Sequence, residues 1–178
     1  MNAIEVVKRY CEAWNRHDAD AIVALFVEGG TYTNPVAGQG LTGQAIAAFA
    51  KGVFTAFPDV SFEIVSIGDT GGGWVAWQWV ARGTNTGPGL DGSPPTGRPL
   101  TVPGASFTQV EGDKIRSEQA YHDRQIMAEQ LGTCGYQRWL DYARACRYRH
   151  GKALPNNPPK QAVASVPARA RDAVSRKA

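Results

Sequence analysis

The sequence contains no apolar run approaching the roughly 18 residues that a membrane-spanning helix requires. Its N-terminal segment alternates charged and apolar side chains, whereas a secretory signal needs a continuous apolar stretch. The cysteines Cys11, Cys134 and Cys146 are odd in number and widely spaced, which is typical of reduced thiols and not of a disulfide framework. We therefore expect a cytoplasmic protein that does not bind a membrane.

Sequence motifs of metal sites, of nucleophilic serines and of phosphate-binding loops are missing as well. The histidines His17, His122 and His150 fit none of the spacings HxH, HxxxH or HExxH, so we predict no metal site. Neither GxSxG nor GxxxxGK[ST] occurs. The glycine-rich stretch 83–97 links two predicted strands and does not open a helix, which is the wrong context for phosphate binding.

The net charge of +3 is unevenly distributed along the chain. Residues 1–143 hold 10 Lys and Arg against 15 Asp and Glu, whereas residues 144–178 hold 9 against 1. Pro, Ala, Lys and Arg dominate residues 151–178, which we interpret as a disordered basic tail. An anionic partner is the alternative, but the tail lacks interleaved aromatics and an apolar face, so we predict neither a nucleic-acid nor a membrane partner.

Hydrophobic periodicity predicts helices first and strands afterwards. The helical pattern covers residues 3–16, 19–26, 44–57, 124–131 and 136–149. The strand pattern covers residues 31–33, 60–67, 74–84, 100–110 and 115–123. This order favours an α+β fold: a cone-shaped barrel of a curved mixed or antiparallel sheet with the N-terminal helices packed on it. Such a cone encloses a small-molecule pocket.

The last predicted strand supplies a candidate catalytic acid. Because side chains alternate along a strand, one face carries Ile115, Ser117, Gln119, Tyr121 and Asp123. We expect this face to be the interior, since it includes Ile115 and Tyr121. Asp123 would then lose hydration in an apolar cavity, and its pKa would rise towards the range of a general acid/base. The alternative is that Asp123 caps the helix that follows it.

The segment YTNP brings a second polar pair. Tyr32 and Asn34 are two residues apart and so face the same side of a strand, where they could position a water or a carbonyl oxygen. The alternative for Asn34 is an Asx-turn before Pro35.

The long strand 74–84 supplies further candidate residues. We expect at least one of Trp77 and Trp79 to line the interior. Arg82 and Thr84 share a face with each other, although an arginine is more often found at the surface.

Several segments resemble the SnoaL-like polyketide cyclases of the ketosteroid-isomerase-like superfamily. They are GTxxG at 83–87, PPTGR at 94–98, GDKI at 112–115, and a strand that ends in Asp123 ahead of QLG at 130–132. The resemblance covers residues 3–132 and implies a cone-shaped α+β barrel with a deep pocket, usually in an oligomer. It also implies that no metal or organic cofactor is used. One departure is Asn85, which replaces the histidine often found in the form GTHxG.

The resemblance implies intramolecular aldol chemistry of the polyketide- or ester-cyclase type on an apolar, carbonyl-bearing small molecule. Asp123, at the position of the cyclases' general acid/base, would take a proton from an activated carbon and return it to the aldol oxygen as the ring closes. The residues expected to bind the substrate are Tyr32, Asn34, Trp79, Arg82, Thr84, Gln119 and Tyr121.

Two alternatives stay open. The chain could be a non-catalytic binding or assembly module of the same fold. It also resembles limonene-epoxide-hydrolase-like proteins in Tyr32-x-Asn34, Arg82 and Asp123, but Thr84 stands where an acid should protonate the epoxide.

The expected organisation has three parts. Residues 1–134 form the SnoaL-like barrel domain, residues 135–150 a helical extension and residues 151–178 the basic tail. Two exposed aromatic strand faces suggest a homodimer.

Overall fold

A computed structural model describes residues 2–133 of the protein. The predicted helical extension 135–150 and basic tail 151–178 lie outside this part. The helices of the described part are α1 (Ala3–Asn15), α2 (Ala19–Ala24), α3 (Gln44–Ala56) and α4 (Arg124–Leu131). Its strands are β1 (Phe26–Asn34), β2 (Gly38–Thr42), β3 (Ser61–Gly71), β4 (Trp74–Thr84), β5 (Pro99–Glu111) and β6 (Lys114–His122).

The six strands form one sheet in the order β2-β1-β6-β5-β4-β3. Strands β1 and β6 run parallel, and every other neighbouring pair is antiparallel. The sheet is therefore mixed, and it is curved without closing on itself. The predicted α+β fold is confirmed.

The N-terminal helices begin at side-chain caps and bury one face each. The side chain of Asn2 accepts a hydrogen bond from the Ile4 amide, and Asp18 caps α2 in the same way through Ala21. Helix α1 contacts β3, β4 and β5 and buries Tyr10 and Trp14 in the core. Burying a large apolar side chain contributes roughly 1.5–3 kcal/mol, so this face holds α1 against the sheet.

Strand β1 begins earlier than the sequence predicts. The second helix, predicted over residues 19–26, ends at Ala24, and Gly29 and Gly30 lie inside the strand. Gly29 has φ +69°, and the register against β6 shifts between Phe26 and Thr31. The glycines therefore mark an irregularity within a strand, which is a common use of glycine there.

Strand β6 contains a bulge that changes which of its side chains point inward. Val110 pairs with Ile115 and Gln109 pairs with Ser117, so Arg116 is an extra residue. Ile115 is buried as expected, but beyond the bulge the alternation is shifted by one residue. Glu118 and Ala120 therefore point inward, and the predicted interior face of this strand is wrong beyond Ile115.

Candidate functional site

A cavity of about 120 Å³ lies between the sheet and helices α1 and α3. Most of its wall is apolar, with aromatic rings from both helices and from strands β1, β3 and β4. These rings are Tyr10, Trp14, Tyr32, Phe49, Phe62, Trp77 and Trp79. An apolar cavity with few polar groups is the usual form of a small-molecule site.

Glu118 is the one carboxylate among the residues of the described part that line this cavity. Its side chain is 1% exposed. Thr108, directly opposite on β5, donates its hydroxyl proton to the Glu118 carboxylate, and the Ser106 hydroxyl hydrogen-bonds to the same group. A buried carboxylate with two hydroxyl partners has a fixed orientation.

Two tryptophans support these hydroxyls from the neighbouring strand. The Trp77 indole Nε1 donates to Thr108 Oγ1 over 2.9 Å, and the Trp79 Nε1 donates to Ser106 Oγ over 3.0 Å. Each hydroxyl oxygen accepts from an indole, so its own single proton is free for Glu118. Trp77 and Trp79 both face the interior, because residues two apart on a strand share a face.

Burial raises the pKa of Glu118 from its ordinary value of 4.5 to about 7, although the hydrogen bonds from Thr108 and Ser106 favour the ionised form. Loss of hydration therefore outweighs the two hydroxyl groups. Near neutral pH the carboxyl exists in both protonation states, which suits a group that accepts and returns a proton.

Two tyrosines lie within the electrostatic influence of this carboxylate. Burial is the main cause that raises the pKa of Tyr10 and of Tyr32, and the charge of Glu118 raises both further. Both phenols therefore keep their protons near neutral pH and act as hydrogen-bond donors.

Tyr32 and Asn34 are both buried and both line the cavity. Asn34 Oδ1 accepts from the amides of Val36 at 2.7 Å and Ala37 at 3.3 Å, which is the Asx-turn considered as the alternative. Its Nδ2 donates to the Tyr32 hydroxyl oxygen over 3.0 Å. The Asx-turn therefore fixes the Asn34 side chain. Because Asn34 is the donor in its bond to Tyr32, the Tyr32 hydroxyl proton stays available to a ligand.

Asp123 does not face the cavity, and the sequence-based placement is wrong. It is exposed, and its Oδ1 accepts from the amides of Gln125 at 2.7 Å and Ile126 at 3.3 Å. It is therefore the cap of α4, the alternative considered above.

Gln119 and Tyr121 are also on the other side of the sheet, for the same reason. The Tyr121 hydroxyl donates to Gln119 Oε1 over 3.2 Å, and its ring contacts that of Phe107 edge to face. Tyr121 is 52% exposed. The Arg116 bulge, which periodicity does not reveal, moves both residues out of the site.

Two predicted residues of the long strand have structural partners. The exposed Arg82 borders the cavity, but its guanidinium forms an ion pair with Glu63 over 2.7 Å. Thr84 is not among the lining residues, and its amide donates to Asp59 Oδ1 over 2.6 Å.

Asn85 holds the ends of the loop between β4 and β5 together. Its Nδ2 donates to the carbonyls of Ala56 at 3.1 Å and Gly87 at 3.0 Å, and its Oδ1 accepts from the Thr96 amide at 2.8 Å. Asn85 is buried outside the cavity lining, so its side chain serves the loop. Leu90 from the same loop borders the cavity.

His122 is a lining residue that the sequence interpretation missed. It shares the inward face of β6 with Glu118 and Ala120, and its ring contacts Trp79 edge to face at 6.0 Å. Burial lowers its pKa. Neither ring nitrogen has a hydrogen-bond partner among the residues that the structure describes.

Within residues 2–133, no group of His, Cys, Asp and Glu side chains is arranged to hold a metal ion. None of the helices in this same range combines the length and the apolar character needed to cross a membrane.

Comparison with known proteins agrees with this architecture. A structure from Catenulispora acidiphila with a ketosteroid-isomerase-like fold, in complex with trimethylamine, is 25% identical with a TM-score of 0.63, over 72% of this chain and 92% of that chain. IdmH of Streptomyces antibioticus, described as a candidate polyketide cyclase, is 24% identical with a TM-score of 0.63, over 74% and 99%. AclR of Streptomyces galilaeus, described as a candidate hydroxylase, is 19% identical with a TM-score of 0.64, over 73% and 95%.

No curated protein matches the sequence. The sequence model of the SnoaL-like domain matches residues 7–118, which is more than half of the chain. The protein therefore belongs to the SnoaL-like domain family.

Proposed function

We propose that this protein is a cofactor-independent acid/base enzyme that moves a proton at the carbon next to the carbonyl of an apolar small molecule. The observation that carries this proposal is Glu118, a fully buried carboxyl group in an aromatic cavity whose pKa is raised to about 7 by burial. This group replaces Asp123 in the role that the sequence suggested.

The reaction needs one base and one hydrogen-bond donor. The Glu118 carboxylate accepts the proton from carbon, the electron pair of the broken C–H bond forms the enolate, and Glu118 becomes a neutral acid. The Tyr32 hydroxyl donates a hydrogen bond to the enolate oxygen, where charge develops. Glu118 then returns its proton either to a different carbon of a conjugated enolate, which completes an isomerisation, or to the alkoxide oxygen that remains when the enolate carbon has attacked a second carbonyl and closed a ring.

Ring closure of a polyketide-like substrate is the finer form of this proposal. It is supported by family membership and by similar structures, such as IdmH, that are described as candidate polyketide cyclases. The predominantly apolar wall favours a hydrophobic substrate.

The test measures proton exchange at carbon, which does not require the natural substrate. A methyl naphthyl ketone is incubated with the protein in heavy water, and deuterium incorporation at the methyl group is followed by NMR. We expect Glu118→Gln to reduce the catalysed rate by about 100-fold or more, since general acid/base groups contribute on the order of 10²–10⁴. The same ketone with Asp123→Asn should exchange at the wild-type rate, because an asparagine also caps a helix. Wild-type exchange in Glu118→Gln would remove Glu118 from the mechanism.

A second candidate is the binding of an organic cation without turnover. Among residues 2–133 Glu118 forms no ion pair, and the cavity around it is rich in aromatic rings, which attract cations through their faces. The structure from Catenulispora acidiphila was determined with trimethylamine. Calorimetry with trimethylamine distinguishes the cation-binding protein from the enzyme. A cation-binding protein binds the amine, loses that binding in Glu118→Gln and catalyses no deuterium exchange of the ketone.

A further inference from the structure

His122 lies on the same inward face of β6 as Glu118, four residues further along the strand. At about 3.3 Å per residue, the two backbone positions are about 13 Å apart. Ala120 lies between them and also lines the cavity. A ligand that extends along β6 from the carboxyl group to the imidazole would therefore pass over the small Ala120 methyl group.

Both ring nitrogens of His122 are buried without a hydrogen-bond partner in the described part of the chain. Buried polar atoms in proteins are nearly always paired, because an unpaired one loses its hydration without compensation. The imidazole borders the cavity, and its contact with the Trp79 ring is an edge-to-face ring contact that satisfies neither nitrogen. The unpaired nitrogens are therefore available to a partner beyond residues 2–133, such as a ligand in the cavity that the ring borders.

The protonation state of the ring defines what kind of partner fits. Burial lowers the pKa of His122, the positive charge of Arg124 lowers it further, and Asp123 acts in the opposite direction. The imidazole is therefore neutral near pH 7, with one N–H donor and one acceptor nitrogen. A hydroxyl group can donate to the acceptor nitrogen or accept from the N–H, so it pairs with whichever ring nitrogen it reaches in either tautomer, whereas a carboxylate pairs only with the N–H.

We propose that His122 determines specificity by hydrogen-bonding to a hydroxyl group at the end of the ligand opposite its carbonyl. The ligand class is then an elongated, ring-containing apolar molecule with a carbonyl near Glu118 and a hydroxyl near His122. The placement of the carbonyl rests on the proposed function, whereas the hydroxyl contact rests on the geometry of His122 alone.

The test compares two ketones in a binding cycle. One is a methyl naphthyl ketone, and the other carries an added hydroxyl group on the ring farther from the ketone. Dissociation constants are measured by calorimetry for the wild type and for His122→Phe. We expect the wild type to prefer the hydroxylated ketone about tenfold, and His122→Phe to reduce that preference below about twofold, because one hydrogen bond is lost.

Two further variants make the result specific. His122→Gln, whose amide also donates and accepts, should retain part of the preference. Arg116→Ala, an exposed β6 residue in an ion pair with Glu111, should leave the preference unchanged. Equal affinities of the wild type for the two ketones, or a preference that survives in His122→Phe, would overturn the proposal.

This outcome is separable from that of the proposed function. The hydroxyl preference is an equilibrium measurement and needs no turnover, whereas the role of Glu118 is read from deuterium exchange. A preserved hydroxyl preference with unchanged exchange in Glu118→Gln would refute the enzymatic proposal and leave the His122 contact standing.

Discussion

Thr108 donates its hydroxyl proton to Glu118 across the β5–β6 pair, while the indole of Trp77 donates to the oxygen of that same hydroxyl. The tryptophan thereby fixes the direction in which the single hydroxyl proton points. This arrangement favours the carboxylate, yet burial still raises the pKa of Glu118 to about 7. Burial therefore makes the Glu118 carboxylate easy to protonate, while the Thr108 hydroxyl stabilises the ionised form.

The raised pKa of Glu118 makes the stability of the protein depend on pH. An unfolded Glu118 loses its proton near pH 4.5, whereas the folded protein keeps it until about pH 7. Between these values the folded state binds more protons, so the free energy of unfolding falls as the pH rises, by roughly 3 kcal/mol in total. Above about pH 7 this loss is complete.

The check is urea denaturation of the wild type and Glu118→Gln at about pH 5 and about pH 8, on either side of the expected window. The lowered pKa of His122 makes the free energy of unfolding rise with pH instead, because the unfolded state binds a proton more readily than the buried imidazole does. That contribution is common to both proteins, so their difference isolates Glu118. We expect the variant to gain stability relative to the wild type as the pH rises, and a pH-independent difference would contradict the assignment.

Asp123→Ala tests the capping role of Asp123. The variant loses the acceptor for the Gln125 and Ile126 amides, so we expect the free energy of unfolding to fall by about 1 kcal/mol. Asp123→Asn should recover most of that loss, since asparagine is an equally good cap. Ketone exchange should be the same in all three proteins when it is measured on the folded state. A loss of exchange with unchanged stability would restore the catalytic interpretation.

Gly104→Ala tests the position of the Trp79 ring. A Cβ at Gly104 would overlap atoms of that indole, whereas a Cβ at Gly68 on β3 would meet nothing within 4 Å. We expect Gly104→Ala to destabilise the protein by about 1–3 kcal/mol and to weaken ketone binding, because Trp79 must move away from Ser106. The matched variant Gly68→Ala should unfold at nearly the wild-type urea concentration. Equal behaviour of the two variants would show that the ring accommodates the extra methyl group.

Local chemistry was sufficient to predict much of the fold. Strand β4 has the predicted bounds, because its alternating β-branched and aromatic residues satisfy a two-residue period. Tyr32 and Asn34 share a face of β1 because side chains alternate along a strand, and both line the cavity.

The site was harder to predict because its acid is selected by contacts between strands. Nothing in the local pattern of β6 marks Arg116 as an extra residue, since the bulge is defined by pairing with β5. An isolated glutamate in a strand is usually solvent-exposed, and only the hydroxyls of Ser106 and Thr108 make the burial of Glu118 tolerable. The substrate-binding roles of the cavity residues and the expected homodimer stay predictions.

The bulge at Arg116 also affects how residues are matched between relatives. If a relative with a regular last strand is aligned with this one without a gap, the inward positions of one correspond to the outward positions of the other from Ser117 onward. Identity at an aligned position in this segment would then not imply a shared role in the cavity. Functional residues of SnoaL-like proteins are therefore better assigned to a relative once it is known which residues of its last strand point inward. A bulge alone can bring different side chains of the same strand sequence into the cavity wall.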